Sequence, residues 1–364
     1  MAEHDLFTPF TVRSLSVPNR FAMAPMTRQA SPGGIPGADV AEYYRRRAAG
    51  GVGLIITEGI RLPDPAAGYP YTVPTIAGDD VAAGWRRVVD AVHGEGAAIA
   101  AQLWHQGAQR DDADGVVPVS PSGVDGLGTP KGRALSADEL PRVAQLYADS
   151  AATARDLGFD AVEIHGAHGY LLDEFFWERT NLRTDAYGGS LSARTRFPAE
   201  VVAAVRAAVG PDHPIIFRFS QWKGTDYTAT IADDPTQLQE LLSPLAEAGV
   251  DMLHPSTRRH YVPAFPGYDG ELSLAGWAKK VTGLPVIAVG SVGLETQFRS
   301  EKRGQVIQPA PVERLVEQFD AGEFDIAAIG RALLADPGWV NRLRNGDLDG
   351  FTGYDPATAL AALS

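Results

Sequence analysis

The chain has 364 residues, 45% hydrophobic and 21% charged, with a formal net charge of −13. Acidic and basic residues are interspersed and no basic patch forms, which argues against nucleic acid and anionic membrane surfaces as partners. There is no cysteine, so disulfides, thiolate nucleophiles and cysteine-ligated iron–sulfur clusters are excluded.

That composition fits a reducing, cytoplasmic setting. Residues 1–10 lack the basic and apolar regions of a signal peptide. No run approaches the roughly 18 apolar residues that a membrane helix needs.

Two short apolar segments, 7–10 and 12–15, come first and are expected to form a hairpin plugging one end of the fold. Eight short apolar runs then recur at 20–24, 53–57, 97–102, 161–164, 214–219, 250–253, 285–289 and 326–329. Their apolarity is continuous rather than alternating, as in strands buried on both faces.

Helical stretches lie between most of these runs, at 41–49, 81–93, 194–208, 235–248, 311–321 and 332–344. Another is marked by Leu140, Val143, Ala144, Tyr147, Ala151 and Ala154 at helical spacing. Ser136 and Glu139 read as the capping box that opens it. Gly158, Gly249 and Gly322 stand where a helix stops and a strand begins.

Eight alternating units predict an α/β fold, a single (β/α)₈ TIM barrel domain spanning residues 1–364. A doubly wound sheet is the runner-up, but no GxGxxG follows the first strand. Long loops after strand three (108–133) and strand seven (291–308) are expected to wall or lid a pocket on the catalytic face.

In a barrel, the residues just beyond each strand converge on one mouth. The stretch 161–176 is the most informative of these. It opens as a buried strand and then turns polar with His165, His168 and Tyr170. Three readings of the histidines stay open. They could be structural, they could bind a metal, or they could donate hydrogen bonds to one developing anionic oxygen. A third metal ligand is not obvious nearby.

Glycine turns after strands seven and eight, Gly290-Ser291 and Gly330-Arg331, stand where barrels of this kind hold a phosphate. Thr27 and Gln102 offer neutral donors and acceptors for an uncharged heteroaromatic ring. Arg218, at the end of strand five, either reaches that ligand or makes a salt bridge inside the barrel. So many neutral groups suit flavin mononucleotide (FMN) better than a sugar phosphate.

Several longer motifs carry a family resemblance. Residues 19–28 (NRFAMAPMTR), 101–107 (AQLWHQG), 165–176 (HGAHGYLLDEFF) and 180–190 (TNLRTDAYGGS) are similar, in order, to motifs of the Old Yellow Enzyme family of flavin-dependent ene-reductases. The resemblance runs from about residue 6 to about residue 343. It implies a barrel holding FMN, with NADPH or NADH as electron donor.

By matching position, Pro25, Met26, Thr27, Gly59, Gln102 and Arg218 would hold the isoalloxazine and ribityl parts. Gly290, Ser291, Gly330 and Arg331 would hold the phosphate. His165 and His168 would bind a carbonyl or nitro oxygen, Tyr170 would donate the proton, and Tyr69 and Trp104 would wall the pocket. The implied reaction sends hydride from the nicotinamide through the flavin to the β-carbon of an activated alkene, an enone or nitroalkene.

The loops 220–227 and 254–261 depart from the family pattern and leave the substrate and the nicotinamide preference open. Arg258, Arg259 and Lys223 there would either meet a 2′-phosphate or stand as solvated surface charge. A metal-dependent barrel hydrolase or aldolase and a non-catalytic flavin-binding protein remain as alternatives. The chain is expected to act as a monomer or homodimer.

Overall fold

The computed structural model describes residues 4–69, 72–268, 271–297, 304–361 and 363. All eight expected strands are present: β1 (Phe21–Met23), β2 (Leu54–Ile56), β3 (Ala98–Trp104), β4 (Ala161–His168), β5 (Ile215–Lys223), β6 (Met252–Pro255), β7 (Ile287–Val289) and β8 (Ile326–Ile329). They pair in parallel in the order β6-β5-β4-β3-β2-β1-β8-β7. Parallel bridges Leu253↔Val286 and Ser256↔Val289 join β6 to β7 and complete the ring. The fold is the predicted (β/α)₈ barrel.

Eight helices follow the strands in turn: α1 (Ala38–Ala49), α2 (Asp79–His93), α3 (Leu140–Asp156), α4 (Leu191–Val209), α5 (Pro235–Ala248), α6 (Leu274–Thr282), α7 (Glu313–Asp320) and α8 (Trp339–Asn345). The capping box at Ser136 and Glu139 is made, ahead of α3. Helix α6 was not foreseen. It is only nine residues long and lies next to a loop rich in proline and glycine, although Ser273 caps its start and Gly283 turns left-handed at its end.

The stretch 332–344, expected as one helix, is broken into Arg331–Ala335 and α8. Pro337 lies at the break; a proline has no N–H to continue the ladder.

The hairpin forms two to three residues later than expected, from Phe10–Val12 and Leu15–Val17. Ser14 donates to the Asp212 carbonyl and Arg13 pairs with Asp251. Asp251 immediately precedes β6 and Asp212 lies three residues before β5, so the hairpin covers the N-terminal end of the barrel. Leu15 and Val17 are buried against Leu54, Ala98, Ile216, Met252 and Ile326.

Side chains alternate along a strand, so every second residue faces the barrel axis. That rule layers the interior. Ala161, Ile216 and Met252 belong to the apolar floor. Two residues further along, Glu163, Arg218 and His254 form a polar layer with Gln102, all of it buried. Two further still, His165, Ser220 and Ser256 reach the mouth. Among the described residues no helix is long and apolar enough to cross a membrane.

Candidate functional site

A cavity of about 610 Å³ opens at the C-terminal end of the strands. Every site residue expected from the sequence lines it except Tyr69. Tyr69 is half-buried; its backbone N–H donates to Gln106 Oε1 and its ring lies 5.8 Å from the Arg110 guanidinium. Of the two long loops, 108–133 contributes only Gln109 to the lining, while 291–308 contributes Ser291, Val292 and Leu294. Residues 298–303 of the latter lie outside the described residues. Further lining comes from the end of β5 and the loops after β5 and β6, through Trp222, Thr225, Tyr227, Thr257 and Arg258.

His165, His168 and Tyr170 pack edge-on to one another. The His165 ring centroid lies 5.2 Å from that of His168 and 5.0 Å from that of Tyr170, with interplanar angles of 87° and 82°. Trp104 packs edge-on against Tyr170 at 5.0 Å. His168 sits in left-handed backbone, φ 66°, where the strand breaks off. The His168 carbonyl accepts from Gln109 Nε2 and the Gly224 N–H, and two further contacts hold that turn. The His168 N–H donates to Ser220 Oγ at 2.9 Å, and the Gly169 N–H donates to Asp173 Oδ2.

Asp173 is itself pinned by Lys223, whose Nζ donates to Oδ1 at 2.7 Å with both side chains fully buried. Lys223 therefore lies in an internal ion pair, not on the solvated surface expected of it. Burial keeps both imidazoles well below the usual histidine range, and the nearby Arg218 charge adds to the effect. They are neutral near pH 7, so each ring carries one N–H donor and one acceptor nitrogen.

The polar layer beneath is a connected network. Gln102 Nε2 donates to Glu163 Oε1 at 2.8 Å, and Glu163 Oε2 meets His254 Nδ1 at 2.5 Å. The His254 imidazole and the Arg218 guanidinium hold the Glu163 carboxyl below the usual carboxylate range despite its burial. Glu163 and Trp222 were not singled out from the sequence. A charged residue two before His165 in a buried strand must share its inward face, and that was the available signal for Glu163. Trp222 carries no such local signal, because its partner is set by the barrel register.

At the far side of the cavity, Gly290 adopts φ 142°, and a β-carbon there would come within 2.6 Å of Thr257 Oγ1. Arg331 donates to Ser291 Oγ at 3.2 Å and to the Thr296 carbonyl at 2.6 Å. A β-carbon on Gly59 would lie 2.7 Å from the Trp104 ring.

The donor set fits FMN. Two residues that line the cavity, Arg218 and Trp104, carry buried N–H groups, Nε and Nε1, with no partner among the described residues. Unpaired buried donors beside a cavity suit an acceptor-bearing ligand. The carbonyls and ring nitrogens of a flavin supply acceptors, and the Gly290 and Gly330 turns beside Arg331 suit its phosphate.

Fold and site together define a barrel oxidoreductase of the Old Yellow Enzyme type. The family model described as NADH:flavin oxidoreductase / NADH oxidase matches residues 5–349, and the chain belongs to that family.

An NADH oxidase from Thermoanaerobacter brockii is 34% identical over 94% of this chain, which spans only 51% of that protein's length. The 12-oxophytodienoate reductase 7 of Oryza sativa subsp. japonica is 33% identical over 93% of this chain and 87% of its own. Among solved structures, morphinone reductase in complex with tetrahydroNAD superposes with a TM-score of 0.80 and 32% identity, covering 97% of this chain and 93% of that one.

Proposed function

We propose that the chain is an ene-reductase that takes hydride from NADPH or NADH and delivers it to the β-carbon of an activated alkene, an enone or nitroalkene. The observation that carries this reading is the edge-on cluster of His165, His168 and Tyr170 on one wall of a cavity suited to FMN. FMN, when bound, supplies the hydride chemistry. Pro25, Met26, Thr27, Gly59, Gln102 and Arg218 would hold its ring and ribityl chain, and Gly290, Ser291, Gly330 and Arg331 its phosphate.

The chain's own residues do the rest. His165 and His168 donate N–H groups to the substrate's carbonyl or nitro oxygen. They withdraw density from the alkene and stabilise the negative charge that builds on that oxygen as the β-carbon gains hydride. Tyr170 gives its phenolic proton to the α-carbon and regains one from solvent. Trp104 buttresses the Tyr170 ring. The relatives' names, which refer to 12-oxophytodienoate and morphinone, support a ketone-bearing substrate.

The test is the visible spectrum of the FMN-loaded protein without oxygen. NADPH or NADH should bleach the flavin and 2-cyclohexenone should restore it. A bound flavin that neither nicotinamide bleaches would overturn the proposal.

A further inference from the structure

The two loops that depart from the family pattern meet on one side chain, His168. From the end of β5, Trp222 lays its ring on the imidazole, with centroids 4.3 Å apart and planes within 22°. From the end of β6, Ser256 places Oγ 2.8 Å from His168 Nε2. The same hydroxyl oxygen accepts from Arg218 Nη2 at 3.2 Å, and Trp222 Nε1 donates to the Ser256 carbonyl at 3.0 Å.

This arrangement favours one placement of the protons. Arg218 can only donate, so it occupies a lone pair of Ser256 Oγ. The Ser256 hydroxyl proton then needs an acceptor, and Ser256 is buried at 3% exposure. Among the described residues, the acceptor within reach is His168 Nε2. The arrangement that leaves the hydroxyl proton paired therefore puts the one proton of the neutral His168 ring on Nδ1, which makes no hydrogen bond among the described residues, while the ring lines the cavity. His165 is set the other way. Its Nδ1 accepts from the Ala167 N–H at 3.3 Å, which leaves the proton on Nε2.

We infer that Ser256, backed by Arg218 and braced by Trp222, is a positioning residue that holds His168 in the Nδ1–H tautomer. The paired imidazoles thus present opposite tautomers to the cavity, Nε2–H from His165 and Nδ1–H from His168. Without that lock His168 turns an unprotonated nitrogen toward the substrate oxygen in part of the population, and the oxygen loses a donor. The tautomers follow from the unliganded geometry alone; their consequence for turnover rests on the proposed function.

The test is long-range ¹H–¹⁵N correlation of histidine-labelled, FMN-loaded protein at pH 7, with the signals assigned by single His→Gln variants. His165 should report a protonated Nε2 and His168 a protonated Nδ1. Ser256→Ala should shift His168 toward Nε2–H and weaken binding of a phenol probe roughly 10-fold, while Ser256→Thr should restore both. A wild-type His168 protonated on Nε2, or a Ser256→Ala variant with the tautomer unchanged, overturns the inference. If the tautomers are as stated but the reduced enzyme ignores enones, the functional proposal fails and this assignment stands.

Discussion

Replacing Lys223 by methionine removes the cation from the ion pair behind the His168 turn. Lys223 Nζ bonds to Asp173 Oδ1 and, at 3.1 Å, to the Ser220 carbonyl, and neither charged side chain has any solvent exposure. In Lys223→Met the Asp173 carboxylate keeps only the Gly169 N–H. Breaking a buried pair from one side costs about 3–5 kcal/mol.

The variant's other course is to take up a proton on Asp173. From an unfolded pKa of about 3.9, doing so at pH 7 costs about 4 kcal/mol, at 1.36 kcal/mol per pH unit. The two routes agree, so the expected loss at pH 7 is about 4 kcal/mol.

The sign of the pH dependence follows. Burial already raises the Asp173 pKa, and Lys223 opposes that rise. Without Lys223 the native state binds the proton more tightly than the unfolded chain does. Stability of the variant therefore falls as pH rises above the unfolded value, and at pH 5 the deficit shrinks to about 1.5 kcal/mol. Lys223→Met/Asp173→Asn should recover most of the loss, because a neutral amide oxygen still accepts from Gly169. Urea unfolding of the three proteins at pH 5 and pH 7 measures this. A Lys223→Met protein within about 0.5 kcal/mol of wild type at pH 7, an ordinary surface effect, would refute the reasoning.

Tyr170→Phe keeps the ring packing but removes the hydroxyl proposed as proton donor, so enone turnover should fall at least about 100-fold while phenol binding holds; unchanged turnover removes Tyr170 from the role. Burial raises the Glu58 pKa to about 7 against its backbone contacts with Arg28 and Gln29. That group's share of stability is complete below pH 4.5 and is lost as pH rises through 7, so Glu58→Gln should gain on wild type by roughly 3 kcal/mol between pH 4.5 and pH 8 in thermal or urea melts. Parallel curves for the two proteins would contradict this. Gly290→Ala forces a β-carbon against Thr257 and should cost about 1–3 kcal/mol of stability, read by thermal unfolding; an unshifted midpoint would show that the turn relaxes freely.

The barrel was legible because its strands are buried on both faces and read as bare apolar runs, from Ile215-Ile216-Phe217 to Ile326-Ala327-Ala328. The mouth was legible because polar residues directly follow those runs. Contacts that depend on how neighbouring strands register were not. Arg218 faces both His165 and His254 across the sheet, and nothing near it in the sequence says so. Lys223 read as a surface charge because its partner, Asp173, lies fifty residues away on another unit. Trp222 and Ser256 looked like loop variation, yet both converge on His168. Tyr69, matched by position alone, has its described contacts with Gln106 and Arg110.

The most direct measurement of the proposed oxygen-binding role of His165 and His168 is the rate of re-oxidation of the reduced, FMN-loaded enzyme by 2-cyclohexenone in a single turnover, compared between wild type and His165→Ala/His168→Ala. Removing one oxygen donor costs about 100-fold, so losing both should slow that step by roughly 10³-fold or more, with the flavin still bound. Equal rates in the two proteins would mean that the substrate oxygen is held elsewhere.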